Sequence, residues 1–164
     1  MTFAAELRAQ FASSTDPRQL LAWTLGWLAT SVRFKGGSIA RLRDGELEIV
    51  AAFGQIDDAA RRVKLRRGEG IAGNVVATGR TIYNPDLDAQ RPVGAAAASR
   101  NVGTNRLIRS YLCAPLLSDG QVIGVMQIDS DRPNAFAPTD VALFESVAQA
   151  LSQSEALRSW RVEP

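Results

Sequence analysis

The chain has 164 residues, 46% of them hydrophobic, and a net charge of +2 that comes from 17 arginines and two lysines against 17 acids. Histidine is absent and Cys113 is the single cysteine. That combination removes His-ligated haem, His-rich zinc sites, Ser-His and Cys-His catalysis, and any disulfide within the chain. The length suits one soluble domain, 1–164, around a single sizeable core. So small a positive excess does not signal nucleic acid. The apolar run from Leu20 to Ala29 falls short of the about 20 residues that span a bilayer, and Glu6 and Arg8 stand where a secretory signal needs its apolar centre. The expected location is the cytoplasm.

In chain order, Phe3, Leu7 and Phe11 fall four apart and predict a short amphipathic helix over Thr2 to Ala12. Asp16 as cap and Pro17 at the first helical position start a second helix, expected to reach Val32. It carries two apolar stripes, Leu21, Leu25, Leu28 and Val32 on one and Leu20, Trp23 and Trp27 on the other. Two hairpins follow from Asp-Gly between strand-like runs. The first joins Ser38–Arg43 to Glu46–Phe53 through Asp44-Gly45, with Leu47, Ile49, Ala51 and Phe53 expected on one face. The second joins Tyr111–Leu117 to Gln121–Asp129 through Asp119-Gly120. Its faces are both apolar, Leu112, Ala114 and Leu116 on one side and Tyr111, Cys113 and Leu117 on the other, so the hairpin belongs in mid-sheet with a layer on each side.

Between the hairpins, Arg61 to Arg67 reads as a charged edge strand. Gly68 to Gly79 reads as a short helix, with Gly70 and Gly73 allowing close packing, Ile71, Val75 and Val76 forming its stripe, and Gly79 as a left-handed stop. Thr81 to Asn84 is extended and ends at Pro85, with Asp86 and Asp88 beyond it. The connection from Leu87 to Ser110 holds Arg91, Arg100, Arg106 and Arg109 and the small-residue tract Gly94 to Ser99, and its length suits a binding loop. Thr139 is expected to cap a last helix running to Trp160, with Phe144, Val147, Ala148 and Leu151 on one face and Leu143, Ala150 and Leu157 on another.

This order of elements resembles that of GAF domains, and several separated motifs agree with it. They are Gly68-Glu69-Gly70-Ile71-Ala72-Gly73 with Thr78-Gly79 and Asp86, Cys113-Ala114-Pro115-Leu116, and the run from Gly120 through Gly124 to Asp129. Phe136 and Asp140 then precede Leu143, Val147 and Ala148. The resemblance covers about Pro17 to Leu157. It implies an α+β fold with an antiparallel sheet of about six strands, terminal helices on one face, and a pocket roofed by loops and short helices on the other.

The resemblance also sorts functions. Cyclic-nucleotide-binding members carry an Asn-Lys pair and an Asp-Glu step; here Asp140 is followed by Val141 and the pair is missing. Bilin attachment generally pairs a cysteine with a histidine this chain does not have. Members that reduce free methionine sulfoxide use several cysteines, one of them where this chain has Ala72, and a single thiol cannot both attack and resolve.

Cys113 is therefore read as a small buried hydrophobe, Trp23, Trp27 and Trp160 as core or subunit contact, and Asp86, Asp88 and Asp129 as turn and strand-end residues. The expected function is a non-enzymatic sensory or regulatory module without cofactor or metal. Its small-molecule site would draw on Ile71, Val75, Asn84, Asp86, Tyr111 and Gln127, with Arg106 and Arg109 as anion contacts. The surplus apolar stripes of the terminal helices would form a homodimer. Output would pass through a downstream protein, or the sequence is one piece of a longer one. The alternatives are a methionine-sulfoxide reductase and a purely structural dimerisation module.

Overall fold

Six strands form one antiparallel sheet in the order β3-β2-β1-β6-β5-β4, in a computed structural model that describes residues 3–54, 65–89 and 107–162. The strands are β1 Gly36–Arg43, β2 Glu46–Phe53, β3 Leu65–Arg66, β4 Ile82–Asn84, β5 Ser110–Ser118 and β6 Gln121–Ser130. The helices are α1 Phe3–Ser13, α2 Pro17–Leu28, α3 Gly70–Thr78, α4 Pro138–Ser152 and α5 Arg158–Val162, with a 3₁₀ turn at Glu155–Leu157. The expected α+β fold is the observed one. Arg61, Arg62, Lys64, Arg91, Arg100, Arg106 and the Gly94 to Ser99 tract lie outside the described residues. Among the described residues no helix is long and apolar enough to cross a membrane.

The two-residue turns form as their sequences require. Asp44 and Gly45 have φ of 52° and 77°, and Asp119 and Gly120 have 50° and 78°, so both central residues of each turn are left-handed, the condition that matches strand twist. The β5–β6 hairpin then lies between β1 and β4, and each of its faces is covered. Leu112, Ala114, Leu116, Met126 and Ile128 join Ile39 of β1 in a core with Leu20, Leu21, Leu25 and Leu28 of α2 and Phe144, Val147 and Leu151 of α4. On the reverse, Cys113 and Val125 pack with Ala40, Leu47 and the α3 residues Ala72, Val75 and Val76. Burying each large apolar side chain stabilises by about 1.5–3 kcal/mol, so neither cladding layer is dispensable.

Several boundaries and faces differ from expectation. β2 does not keep one apolar face: the register shifts between Ile39 and Ala40, so Ile39 opposes Ala51 while Ala40 opposes Ile49. The bulge sends Leu47 and Ile49 towards α3 and Ala51 and Phe53 towards the long helices. α2 begins as expected, with the Asp16 carboxylate accepting from the Arg18 amide at 3.0 Å, but it stops at Leu28 rather than Val32. There the Thr30 amide and hydroxyl both donate to the Trp27 carbonyl, at 3.0 and 2.6 Å, and the Val32 amide donates to Leu28. Ser and Thr hydroxyls compete for backbone in this way.

α4 starts two residues earlier than a Thr139 cap would set it, with Ala137 as the cap, Pro138 in the first turn and the Asp140 carboxylate accepting from the Ala137 amide at 2.8 Å. It ends at Ser152, not Trp160. Arg161 Nη1 donates to the carbonyls of Ser152 and Ser154 at 2.9 and 2.8 Å, holding the chain in a turn that folds Leu157 and Trp160 back into the helix-side core. Part of the apolar surplus is thus consumed within the chain. Trp23 likewise meets Phe11 of α1 edge-on, with ring centroids 6.4 Å apart, and stacks on Trp27.

Two glycines test the packing with opposite signs. A Cβ on Gly124 would collide with the Ala40 carbonyl and press on Leu116 and Trp160, whereas one on Gly26, in the middle of α2, meets open space. Gly124→Ala is expected to destabilise by about 1–3 kcal/mol and Gly26→Ala to stabilise by about 0.5–1 kcal/mol. Thermal unfolding should show the first midpoint falling and the second rising, and a neutral Gly124→Ala would contradict the close strand contact.

Candidate functional site

On the face covered by α3, strand pairing assembles a polar patch from four strands. Tyr111 of β5 lies opposite Asp129 of β6 and Asn84 of β4, and Cys113 lies opposite Gln127 and Ile82. Ser38 of β1 lies opposite Gln127, and Gln127 Nε2 donates to Ser38 Oγ at 2.6 Å. Ser38 and Asp129 are buried and Cys113 is fully so, while Tyr111, Gln127 and Asn84 are half-buried. Ile71, Ile82 and Tyr111 border the α3-side core that contains Val75 and Val125. Of the residues named from sequence, Ile71, Val75, Asn84, Tyr111 and Gln127 therefore share this one face. Ser38, Asp129 and Cys113 complete it.

Burial governs the titration of this patch. It pushes the Tyr111 phenol well above its ordinary range, with the nearby Cys113 and Asp129 acting in the same direction. It raises the Cys113 thiol far above the ordinary value too, and the hydrogen bond with Tyr111 only partly offsets this. A thiol held protonated is a poor nucleophile, because the thiolate is the attacking form. Among the described residues no group of three or more Cys, Asp or Glu side chains could hold a metal ion.

Asp86 and Arg109 form a separate cluster beside the patch. Arg109 Nε and Nη2 donate to the two oxygens of the Asp86 carboxylate, both at 3.1 Å, and Nε also lies 3.2 Å from Asp88. The backbone adds two hydrogen bonds, from the Leu87 amide to the Arg109 carbonyl at 2.7 Å and from the Arg109 amide to the Ser130 carbonyl at 2.8 Å. Asn84 Oδ1 accepts from the Asp86 amide and Asp86 Oδ1 from the Asp88 amide, so the turn after Pro85 holds its carboxylates in fixed orientation towards Arg109. The Nε and Nη2 edge of the Arg109 guanidinium is thereby engaged by acids of its own chain. It clasps the two ends of the connection that sequence reading treated as a binding loop. The opposite charges at the two ends, Asp86 and Asp88 before and Arg109 after, were the signal for this pairing. Arg106 lies outside the described residues.

Arg109 lowers the Asp86 carboxyl below its ordinary 3.8, and Asp86 in turn raises Arg109. A depressed folded pKa gives stability that is present above the unfolded value and lost as pH falls through the folded one. Asp86→Asn should therefore unfold at a lower temperature than wild type at pH 7, and the gap should close below about pH 3.8; a gap independent of pH would remove the ion pair as its cause. Cys113 supplies a second check. Iodoacetamide should modify it at least about 100-fold more slowly in the native protein than in the unfolded chain, and rapid native alkylation would contradict its burial.

Comparison with known proteins places the architecture in context. The family profile described as "GAF domain" matches residues 16–154. The Nif-specific regulatory protein of Azospirillum lipoferum is 29% identical over 163 residues, which is 97% of this chain and 26% of that protein, so the chain spans about a quarter of that relative's length. The GAF domain of an Acinetobacter phosphoenolpyruvate-protein phosphotransferase superposes with a TM-score of 0.80 over 100% of this chain and 99% of that one, at 17% identity. The free methionine-R-sulfoxide reductase of Neisseria meningitidis, solved with its substrate, superposes with a TM-score of 0.76 over 96% and 89% of the two chains, at 25% identity. Spanning all but the ends of the sequence, the profile match together with the six-stranded sheet clad by helices makes this chain a member of the GAF domain family.

Proposed function

We propose that the chain is a sensory module that binds a small molecule against the α3 face of its sheet and acts through its terminal helices without turning the ligand over. One observation carries this reading: a patch of hydrogen-bonding groups, Asn84, Tyr111, Gln127, Ser38 and Asp129, gathered on one face and bordered by Ile71, Val75, Ile82 and Val125. Apolar walls with a few fixed polar groups are the usual composition of a ligand site. In this reading Tyr111, Gln127 and Asn84 meet the ligand, Ile71 and Val75 wall it, and Asp86 and Arg109 hold together the two ends of the connection between β4 and β5. Arg106 remains an anion contact from that connection. The regulatory character of the Azospirillum relative supports the sensory role. Trp23, Trp27, Leu143 and Ala150 stay half-buried beside the helix-side core and supply the helix surface for a homodimer, with a downstream protein in the cytoplasm as recipient of the signal.

The likeness to the Neisseria reductase favours a second, enzymatic reading. Against it stands the chemistry of the thiol: Cys113 is the sole cysteine, fully buried and held protonated, while Ala72 occupies a buried position in α3. Incubation with free methionine sulfoxide and a thiol reductant should give no turnover above background, and measurable reduction would overturn the sensory reading.

Thermal unfolding across a panel of metabolites tests binding itself. A selective ligand at 100 times its dissociation constant stabilises by about 2.7 kcal/mol, which for a chain of this size is a shift on the order of 5–10 °C. Gln127→Ala and Asn84→Ala should lose most of that shift while unfolding cooperatively without ligand. A panel with no selective stabiliser would leave the structural dimerisation module as the better account.

A further inference from the structure

Where α2 gives way to β1, on the side of the sheet facing the long helices, the chain leaves an open cleft of about 540 Å³. It is lined by Ala29, Val32 and the segment Arg33-Phe34-Lys35, by Phe53 at the end of β2, and by Ser130-Asp131-Arg132 at the end of β6. The side chains of Arg33, Lys35 and Arg132 are exposed there, and none of these three side chains makes a hydrogen bond or ion pair among the described residues. Other arginines are engaged: Arg109 by Asp86 and Asp88, Arg158 by Glu155, Arg66 by Glu46, and Arg161 by two carbonyls. Among the described residues Asp131 is the one acid lining the cleft. The carbonyl end of α2, a source of negative potential, is largely occupied, since the carbonyls of Leu25, Trp27 and Leu28 accept from amides of residues 29–32. Phe34 and Phe53 add an aromatic wall, with ring centroids 5.1 Å apart.

We infer that this cleft is an anion site distinct from the α3 face, built for a phosphate monoester that carries an aromatic or other apolar group. Three cations around one space suit a dianion with three terminal oxygens, and guanidinium groups meet such oxygens in bidentate geometry. A monocarboxylate would leave part of that charge unanswered. The phenylalanine pair gives the apolar end of the ligand a surface, and the exposed cations steer it in. Occupancy would also reach the α3 face, because the same turn of β6 serves both. Its Ser130 carbonyl accepts the Arg109 amide, its Arg132 carbonyl accepts the Ser110 hydroxyl at 2.7 Å, and the adjacent Asp129 carbonyl accepts the Lys35 amide at 2.8 Å. The site therefore has a short path to the clasp at Asp86 and Arg109.

Phenyl phosphate is the probe, titrated by calorimetry at constant ionic strength. Wild type should bind saturably, and Arg33→Gln/Lys35→Gln/Arg132→Gln should weaken binding at least tenfold. A control with the same net charge, Arg8→Gln/Arg18→Gln/Arg80→Gln, alters exposed arginines away from the cleft and should stay within twofold of wild type. Both variants change exposed side chains, and unchanged thermal midpoints without ligand verify that each is folded. Absence of saturable wild-type binding, or equal weakening of both variants, overturns the site. Inorganic phosphate should bind more weakly than phenyl phosphate, and equal binding would overturn the aromatic half of the assignment. None of these outcomes depends on whether a ligand occupies the α3 face.

Discussion

Successive residues of β5 and β6 face opposite layers, and almost none of them tolerates water. Leu112, Leu116, Met126 and Ile128 must meet α2 and α4, while Cys113 and Val125 must meet α3. This demand for two coats places the hairpin in mid-sheet, draws both long helices to one side, and obliges the chain to spend a glycine-bounded helix on the other. The remaining strands are consequences: β1 and β2 extend the sheet where the helix layer is broad, and β3 and β4 are edges of two and three residues. Edges that short offer little for another chain to pair with.

The polar patch is a deliberate exception within this apolar scheme. Buried hydroxyl, amide and carboxyl groups cost stability unless satisfied, and here they are concentrated at one end of the hairpin. The bond from Gln127 to Ser38 and the contact between Tyr111 and Cys113 show how neighbouring strands answer each other's needs. The apolar end of the same face stays with Val75, Val76 and Val125. Polarity is thus graded along the strands.

Much of the architecture was legible because it rests on local rules. Asp-Gly fixed both turns, Gly79 stopped α3, Asp16 and Pro17 started α2, and doubled apolar faces placed the second hairpin. What escaped were one-residue irregularities. Counting back from the Asp119-Gly120 turn sets Tyr111 against Ile128, but a register shift after Leu116 moves it opposite Asp129 and sets Cys113 against Gln127. Without that bulge the patch does not assemble, and period-two patterning carries no mark of it. The break after Ser152 was hidden for a similar reason: apolar spacing continues through Leu157 and Trp160, and only the hydrogen bonds of Arg161 back to the Ser152 and Ser154 carbonyls tell the two helices apart. At the candidate site, the strand residues were legible as a face, whereas the pairing of Arg109 with Asp86 and Asp88 joins residues more than twenty apart and needed the fold to bring them together.

The clasp at Asp86 and Arg109 separates two kinds of change that evolution can make. With the two ends of the intervening connection tied to each other by an ion pair and by the Leu87 to Arg109 backbone hydrogen bond, and to β6 through Ser130, the sheet does not register how many residues run between them. Closing a longer loop costs only about 0.6 kcal/mol for each doubling of its length. Such an arrangement lets insertions and substitutions accumulate in the connection while the scaffold stays constant, so that descendants of one framework can diverge there without each new variant having to solve the folding problem again.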